Sequence, residues 1–365
     1  MFAVFHIACN GLTMRHAPQA PELGERRSNF SRRPSATGGR AGAARRPCGP
    51  TAPRGTKHAV LGTVNRSAAA TTERAETVAG SLLAGLAGRY PGRVAPRFVP
   101  PGTRGWVGVD ALVAVPEAFE RLVDATAARY RTDDRPLAVA QVVREAVSVA
   151  TGAAVSGWAR HGRLLDWRAG NVALRPSDRG LVVALRRPHL VVAPGDPLAG
   201  SGTGAGTGVT VAHGGLLAAL DADLLGPSVP AGDMPPEPPW RAAAVAAVIA
   251  AGRRSARTGS RHYWGSAALA ATVALAAAAR DVGPAADTAR DALLARRPDL
   301  ARTVELLDDT GTAGCARRLT CCLLIKLPDA PQCATCPLTP GAGRRLRPRG
   351  PGTAGPAAAP ARATG

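Results

Sequence analysis

The segment from residue 71 to about residue 158 has apolar residues at the three- and four-residue spacing of amphipathic helices. Thr72 is a candidate N-cap for the first helix, and Pro116 stands in the first turn of the second. Phe119, Leu122 and Val123 fall on one face of the second helix, as a core-facing stripe requires. The three helices are predicted at Thr71–Tyr90, Val115–Tyr130 and Leu137 to about Trp158.

The pattern then changes to alternation. The stretches LLDW, NVALR and LVVAL have the two-residue period of half-buried strands, and the turn Pro176–Gly180 separates the last two. Helical patterns return after a Pro-rich break at Met234–Trp240. These four helices are predicted at Arg241–Arg254, Gly265–Arg280, Ala285–Arg296 and Pro298–Asp308. The expected fold class is α+β, mostly helical with a small antiparallel sheet.

The net charge of +20 over 365 residues does not indicate a nucleic-acid-binding face. Residues 1–60 contain ten basic and two acidic residues, and residues 337–365 contain five basic and no acidic ones. Thirteen of the twenty excess positive charges therefore lie in Pro-, Gly-, Ala- and Arg-rich ends with too few apolar residues to fold. Nucleic-acid binders concentrate basic residues on a folded surface, so no such partner is expected.

Three other segments bear on export, membrane insertion and nucleotide binding. The apolar run Phe2–Cys9 lacks a basic n-region and a small-x-small cleavage site, so it does not predict export. The apolar core of Trp264–Arg280 is shorter than the ~18–20 residues of a membrane span, which predicts a buried helix. The Gly-rich loop 194–208 fits neither G-x-G-x-x-G nor a P-loop. A cytoplasmic protein with at most peripheral membrane contact is expected.

The segment CCLLIKLPDAPQCATC contains four of the seven cysteines. Cys321 and Cys322 are adjacent, and ten residues separate them from Cys333 and Cys336, which form a C-x-x-C pair. Disulfides need an oxidising compartment, and no export signal is expected. A redox pair of the thioredoxin type would open a helix, but Pro337 directly follows the last cysteine. Metal binding by four thiolates remains, to zinc or to an iron–sulfur cluster.

The spacing favours an iron–sulfur cluster and leaves zinc open. Structural zinc sites usually have two C-x-x-C pairs, whereas the first pair here is contiguous. Neighbouring side chains point in different directions on a strand or a helix, so closing Cys321 and Cys322 onto one tetrahedral ion strains the backbone. Two sulfide-bridged irons are a wider target, and four thiolates commonly bind a [2Fe–2S] cluster. Cys315 is expected to be a small buried residue rather than a ligand.

The cysteine segment resembles the C-terminal signature of the FhuF-type ferric-siderophore reductases. The resemblance covers RRLTCCLLIKLPDAPQCATCPL (Arg317–Leu338), with basic residues before the pair, an apolar run after it and a closing Cys-Pro-Leu. A weaker similarity is RHYWGSAALA (Arg261–Ala270), like a helix opening often found upstream in such proteins. LLI stands where the family often has tyrosines, and DAP where it usually has glycines. Over about residues 75–340 the likeness is otherwise diffuse, and it does not reach the chain ends.

This resemblance implies a [2Fe–2S] cluster and a reductase that passes one electron to Fe³⁺ in a siderophore, so that Fe²⁺ is released. The implied ligands are Cys321, Cys322, Cys333 and Cys336. The implied partners are a ferric siderophore and an external electron donor (a ferredoxin, a reductase or a small reductant), because no flavin or nicotinamide motif is present. No catalytic acid, base or nucleophile is expected. The alternative is a non-enzymatic redox-sensing or structural metal module, with iron–sulfur or zinc.

Four regions are expected along the chain. They are a disordered extension at 1–70, an α+β siderophore-reductase-like domain at 71–312, a [2Fe–2S]-binding segment at 313–340 and a disordered tail at 341–365. Arg317, Arg318 and Lys326 are near the ligands and would raise the cluster's potential, or they are ordinary solvated charges. His262 is a candidate for a position near the site. Trp264 is expected in the core, with a siderophore pocket as its alternative.

Overall fold

The structure of the protein is a computed structural model that describes six stretches of the chain. They are residues 58–199, 208–226, 243–256, 259–307, 315–327 and 337–338, with only the backbone described at 58–69, 71 and 315. Most of these residues are helical, and small sheets of short strands accompany them, which confirms the α+β class. The tail 341–365 and most of the predicted N-terminal extension lie outside the described residues.

Helices make up most of the described backbone. In chain order they are α1 (His58–Arg89), α2 (Val109–Ala114), α3 (Pro116–Tyr130), α4 (Arg135–His161), α5 (Leu216–Leu220), α6 (Ala244–Ser255), α7 (Arg261–Val282), α8 (Ala285–Arg296) and α9 (Pro298–Ala301). The predicted second and third helices are confirmed as α3 and α4, with Pro116 at the start of α3. Phe119, Leu122 and Val123 are all buried, as their common face predicts.

Two helix predictions are corrected at their ends. α1 begins at His58, upstream of the predicted start, so Thr72 lies inside the helix and is not its N-cap. α9 ends at Ala301, and residues 304–307 form a strand instead of the last turn of the helix predicted to Asp308. A strand forms here because Cys315–Arg318 supplies backbone hydrogen-bond partners for it, and such tertiary pairing overrides local helix preference.

Short strands form three small sheets in the described part of the chain. They are β1 (Val107–Gly108), β2 (Arg163–Leu165), β3 (Val172–Ser177), β4 (Gly180–Leu185), β5 (Leu190–Val192), β6 (Val209–Val211), β7 (Val304–Leu307) and β8 (Cys315–Arg318). The predicted hairpin is confirmed, since β3 and β4 pair antiparallel, with Val172 opposite Leu185. The single predicted sheet is corrected to sheets ordered β1-β3-β4, β2-β5-β6 and β7-β8, with a parallel β5-β6 pair.

α4 is the central helix. The Asp134 carboxylate caps its N-terminus by accepting a hydrogen bond from the Leu137 N–H at 3.0 Å, and Gly162 ends it in the left-handed conformation. α3, α6, α7 and β4 surround the helix, which is why it is apolar around most of its circumference. The main partner, α7, is rich in alanine, and small residues on both helices allow a close approach.

Two helices have the length and apolar composition of a membrane span. They are α4 and α7, with 89% and 56% of their most apolar windows buried inside the protein. α7 extends over 22 residues, beyond the short apolar core seen in the sequence. Both contribute side chains to one hydrophobic core, the buried position that the sequence predicts for the α7 segment.

Candidate metal centre

The β7-β8 hairpin leads the chain directly into the cysteine pair. The two strands pair antiparallel from Leu307 opposite Cys315 to Val304 opposite Arg318. One further backbone hydrogen bond, from the Leu319 N–H to the Thr303 carbonyl oxygen at 2.9 Å, extends the pairing beyond the strands. Because backbone pairing fixes the chain up to Leu319, Cys321 and Cys322 follow closely after a hydrogen-bonded strand.

The start of α7 packs against the end of this hairpin. The Arg318 guanidinium donates a hydrogen bond to the His262 carbonyl oxygen at 2.9 Å. Gly265 lies so close to Thr320 that a Cβ at this glycine would collide with the threonine hydroxyl. The helix opening RHYWG and the residues just before the cysteine pair, which the sequence singles out independently, are therefore in contact.

Gly265→Ala should loosen this contact. We expect the added methyl group to lower the free energy of unfolding by about 1–3 kcal/mol, the usual cost of overpacking a close-packed site. Gly88→Ala is the matched control, because no atom lies within 4 Å of the position that a Cβ would take at this exposed helical glycine, and the change should be neutral or slightly stabilising. Urea unfolding of both variants measures the difference, and equal stabilities would contradict the close approach.

The two adjacent cysteines differ in environment. Cys322 is 6% exposed, whereas Cys321 is half-buried, which agrees with neighbouring side chains pointing in different directions. Leu323 then adopts a left-handed backbone conformation with φ of 62°, unusual for a residue with a branched side chain. In this conformation its N–H donates to the Cys321 sulfur at 3.3 Å. Such N–H to sulfur hydrogen bonds stabilise a thiolate and tune the metal centre that it binds.

The helix α4 holds the backbone of the pair from the other side. The Gln141 side chain, which is fully buried, donates a hydrogen bond to the Cys322 carbonyl oxygen at 2.9 Å. The Arg144 Nε in turn donates to the Gln141 side-chain oxygen at 2.6 Å. Gln141 and Arg144 lie three residues apart and share one face of the helix. A helix near the middle of the chain thus fixes the position of a cysteine near its end.

Arg144 is a cation on α4 whose charge interacts with that of Cys322. Burial lowers its pKa, but the charges of Tyr130, Glu145 and Cys322 outweigh that effect, and its pKa is raised overall. The interaction between Arg144 and Cys322 could not be found from nearness in sequence, because the two residues are far apart along the chain. A usable signal was present nonetheless: polar residues interrupt an otherwise apolar helix, and buried polar groups require partners.

The basic residues near the cysteines in sequence occupy different environments. Arg317 forms an ion pair with Glu305 across the hairpin, with nitrogen and oxygen 2.5 Å apart, so its charge is balanced locally. Arg318 is 5% exposed and bonds to the backbone of α7. Lys326 is exposed in the short helical turn after the pair. Of these three, Lys326 is the one whose charge faces solvent beside the cysteines.

His262 and Trp264 lie on α7 just before Gly265, the residue that contacts Thr320. The Trp264 ring packs against the core and against the Arg297 guanidinium, 5.0 Å from the ring centroid, which agrees with the expected core position. The His262 ring contacts the Tyr263 ring at a tilt of 54°, with centroids 3.9 Å apart, and its Nε2 is buried with no hydrogen-bond partner in the described stretches. His262 is close to the cysteine segment through the backbone contact with Arg318.

His262 should be neutral at physiological pH. Burial, with a smaller contribution from the positive charge of Arg318, lowers its pKa from 6.5 to about 4. Because the folded pKa is below the unfolded one, its contribution to stability is present above pH 6.5 and is lost as the pH falls towards 4. An NMR titration of the imidazole, assigned with His262→Gln, checks this value. A midpoint at the ordinary pKa would show that the ring is solvated.

Of the four predicted ligands, Cys321 and Cys322 lie within the described residues. Cys333 and Cys336 lie outside the described residues, and of Cys315 only the backbone, in β8, is described. No group of three or more potential metal ligands occurs within the described stretches. The Cys321 sulfur fits a thiolate site because it already accepts a hydrogen bond from the Leu323 N–H. The Thr320 hydroxyl, next to the pair in sequence, is buried against Gly265 and has no hydrogen-bond partner among the described residues.

Comparisons with known proteins add no relative. No family model matches the chain, and neither a curated protein nor a solved structure matches it. The arrangement described above therefore rests on the residues of this chain alone.

Proposed function

We propose that this protein is a cytoplasmic [2Fe–2S] ferric-siderophore reductase. The observation that carries the proposal is the contact between its two motif segments, at Gly265 with Thr320 and at His262 with Arg318. Each segment resembles the ferric-siderophore reductases separately, and the two pack together just before the cysteine pair, which supports the proposal. The proposed ligands are Cys321, Cys322, Cys333 and Cys336.

The residues of the chain would hold and shield the cluster. Cys321 and Cys322 would provide two thiolates, with the Leu323 N–H donating a hydrogen bond to the Cys321 sulfur. Gln141 would keep the backbone of the pair in place. When bound, a [2Fe–2S] cluster supplies a one-electron carrier whose potential depends on hydrogen bonds to sulfur, net charge and solvent exposure.

The substrate side is proposed at the exposed surface of the cysteine segment. Leu319 and Ile325 are 44% and 49% exposed, and the exposed Lys326 directly follows Ile325. Such a surface suits an anionic ferric chelate with an organic scaffold. One electron from the reduced cluster converts Fe³⁺ to Fe²⁺, which hard oxygen donors bind much less well, so the siderophore releases it.

A single-turnover experiment tests this function. Protein reduced anaerobically by one electron is mixed with a panel of ferric siderophores in the presence of a chelator that absorbs only with Fe²⁺. The proposal predicts one Fe²⁺ trapped per reduced cluster and return of the oxidised visible spectrum. The oxidised protein and the Cys322→Ser variant are the controls. Release of Fe²⁺ no faster than in these controls, for every siderophore of the panel, would contradict the reductase function.

A structural or redox-sensing metal module is the second candidate. It is favoured by the burial of Cys322 and by the direct link from its backbone to the central helix α4, since structural sites are usually closed to solvent. Such a module would bind metal and contribute to stability without reducing a siderophore. Metal identity and the single-turnover result together separate the two candidates.

A further inference from the structure

A buried cluster of three arginines around one carboxylate is linked to the cysteine pair by hydrogen bonds. The Glu145 carboxylate on α4, 3% exposed, forms an ion pair with Arg129 at 2.5 Å and lies 3.5 Å from both Arg93 and Arg144. The Tyr130 hydroxyl donates to the same carboxylate at 2.7 Å and accepts a hydrogen bond from Arg144 at 3.2 Å. We call these five residues the Glu145 network.

The Glu145 network has two positive charges in excess. Its three guanidinium groups share one carboxylate, and no other carboxylate in the described stretches lies within 4.0 Å of them. The side chains of Arg93, Arg129 and Arg144 are only 14%, 10% and 23% exposed, so water compensates them poorly. Unbalanced charge in such a position is costly, and proteins rarely retain it without a counter-ion.

The network reaches the cysteine pair through Arg144. Its guanidinium is linked by Gln141 to the Cys322 backbone, with successive distances of 2.6 and 2.9 Å. Gln141 is fully buried and Cys322 is 6% exposed, so little solvent separates the guanidinium from the sulfur. A negative charge on the cysteines would therefore interact with the network across a medium that screens poorly.

We propose that Arg144 is a positioning residue that supplies the counter-charge of a four-thiolate metal centre at the cysteine segment. The inference rests on the metal-binding part of the proposed function. Four thiolates with an oxidised [2Fe–2S] core form a dianion, and four thiolates with one Zn²⁺ do so as well. Either centre would carry a charge equal and opposite to the two excess charges of the network, so loading the metal would supply counter-charge on the cysteine side of α4.

Arg144 should consequently link metal binding to the stability of the whole domain. Without metal, its charge repels Arg93 and Arg129, and with metal it is attracted to the centre. Reduction of a [2Fe–2S] cluster adds one negative charge, which the same cation favours. Arg144→Gln should therefore reduce the stabilisation gained on metal loading and, in the cluster-loaded protein, lower the midpoint potential.

The experiment compares thermal unfolding midpoints of metal-loaded and metal-stripped protein for the wild type, Arg144→Gln and Arg317→Gln. Arg317 is the matched control because its side chain is 24% exposed, close to the 23% of Arg144, but pairs one-to-one with Glu305. We expect the midpoint increase on loading to shrink in Arg144→Gln and to stay unchanged in the control. Arg144→Lys, which keeps the charge, should recover most of the increase.

The salt dependence of the midpoint increase on metal loading is a second test, and it needs no variant. In the wild type, raising the ionic strength towards ~0.5 M should diminish the midpoint increase on loading, because ions partly replace the counter-charge. The inference is overturned if metal loading raises the unfolding midpoint equally in the wild type and in Arg144→Gln. If that variant fails to fold, a midpoint increase in the wild type that does not change with salt overturns it instead. So does a protein that takes up no metal. Zinc in place of iron defeats the reductase proposal alone, whereas a cluster with an unchanged increase defeats only the role of Arg144.

Discussion

Cys322→Ser is expected to abolish iron binding and the visible colour of the protein. The side chain is 6% exposed and Gln141 holds its backbone, so the substitution removes a thiolate from a fixed, buried position. A serine hydroxyl is a hard oxygen ligand that suits iron–sulfur chemistry far less than a soft thiolate does. We expect a loss of at least about tenfold in bound iron, the lower end of the ~10–100-fold effects that follow even from changes to the partners of metal ligands.

Two cysteine variants control for general damage by serine. Cys48→Ser changes a cysteine that precedes the segment by more than half of the chain and should leave iron content unchanged. Cys315→Ser should do the same if that residue is a small buried side chain, as the sequence predicts, and should lower iron content if it is a ligand. Anaerobic metal analysis of the three variants checks these results. Retention of the wild-type iron content by Cys322→Ser would contradict the assigned ligand set.

Glu145→Gln should be the most destabilising single substitution in the described core. The carboxylate accepts hydrogen bonds from the Leu181 N–H at 2.7 Å and from Tyr130, and it forms the only acidic partner of three guanidinium groups in the described stretches. Glutamine has nearly the same shape but no charge, so the guanidinium groups remain buried without compensation. We expect the free energy of unfolding to fall by about 3–5 kcal/mol, measured by urea denaturation.

Glu120→Gln is the control for this prediction. Glu120 pairs with Arg135 at 2.5 Å, the same distance, but both side chains are largely solvated, at 35% and 48% exposure. An exposed pair of this kind contributes about 1 kcal/mol or less. Similar losses in the two variants would show that the Glu145 carboxylate is not held in a poorly solvated site.

The same carboxylate makes stability depend on pH. Burial raises the pKa of Glu145, but the charges of Arg144, Arg129 and Arg93 outweigh this and lower it overall. A folded pKa below the unfolded one means that the stabilisation is fully present above the unfolded pKa and is lost as the pH falls through the folded one. The wild type should therefore lose stability on acidification below the ordinary range of glutamate, and Glu145→Gln should show less of this loss.

Much of the helical framework could be predicted from local pattern, because periodicity and capping residues determine where a helix can form. Pro116 and the buried face of α3 are examples. The β7-β8 hairpin could not, since Val304–Leu307 becomes a strand only through its pairing with Cys315–Arg318. The split into several sheets was also unpredictable, because a turn of 3₁₀ helix at Ala169–Asn171 separates the second strand from the third.

The candidate site shows the same division. The spacing of the cysteines and the RHYWG helix opening could be found by inspection, and the contact of Gly265 with Thr320 joins them. Gln141 and Arg144 were missed because their relation to Cys322 exists only after α4 has packed against the cysteine segment. Arg317 was overvalued for the opposite reason: nearness in sequence did not reveal that Glu305 balances its charge.

The central claim, a [2Fe–2S] cluster on the four cysteines, is tested most directly by anaerobic purification of the native protein followed by analysis of iron, sulfide and zinc and a visible spectrum. We expect two irons and two acid-labile sulfides per chain, as the composition of that cluster requires, with visible absorption that bleaches on reduction. One zinc per chain, no sulfide and no colour would contradict it and would identify the cysteine segment as a structural clasp.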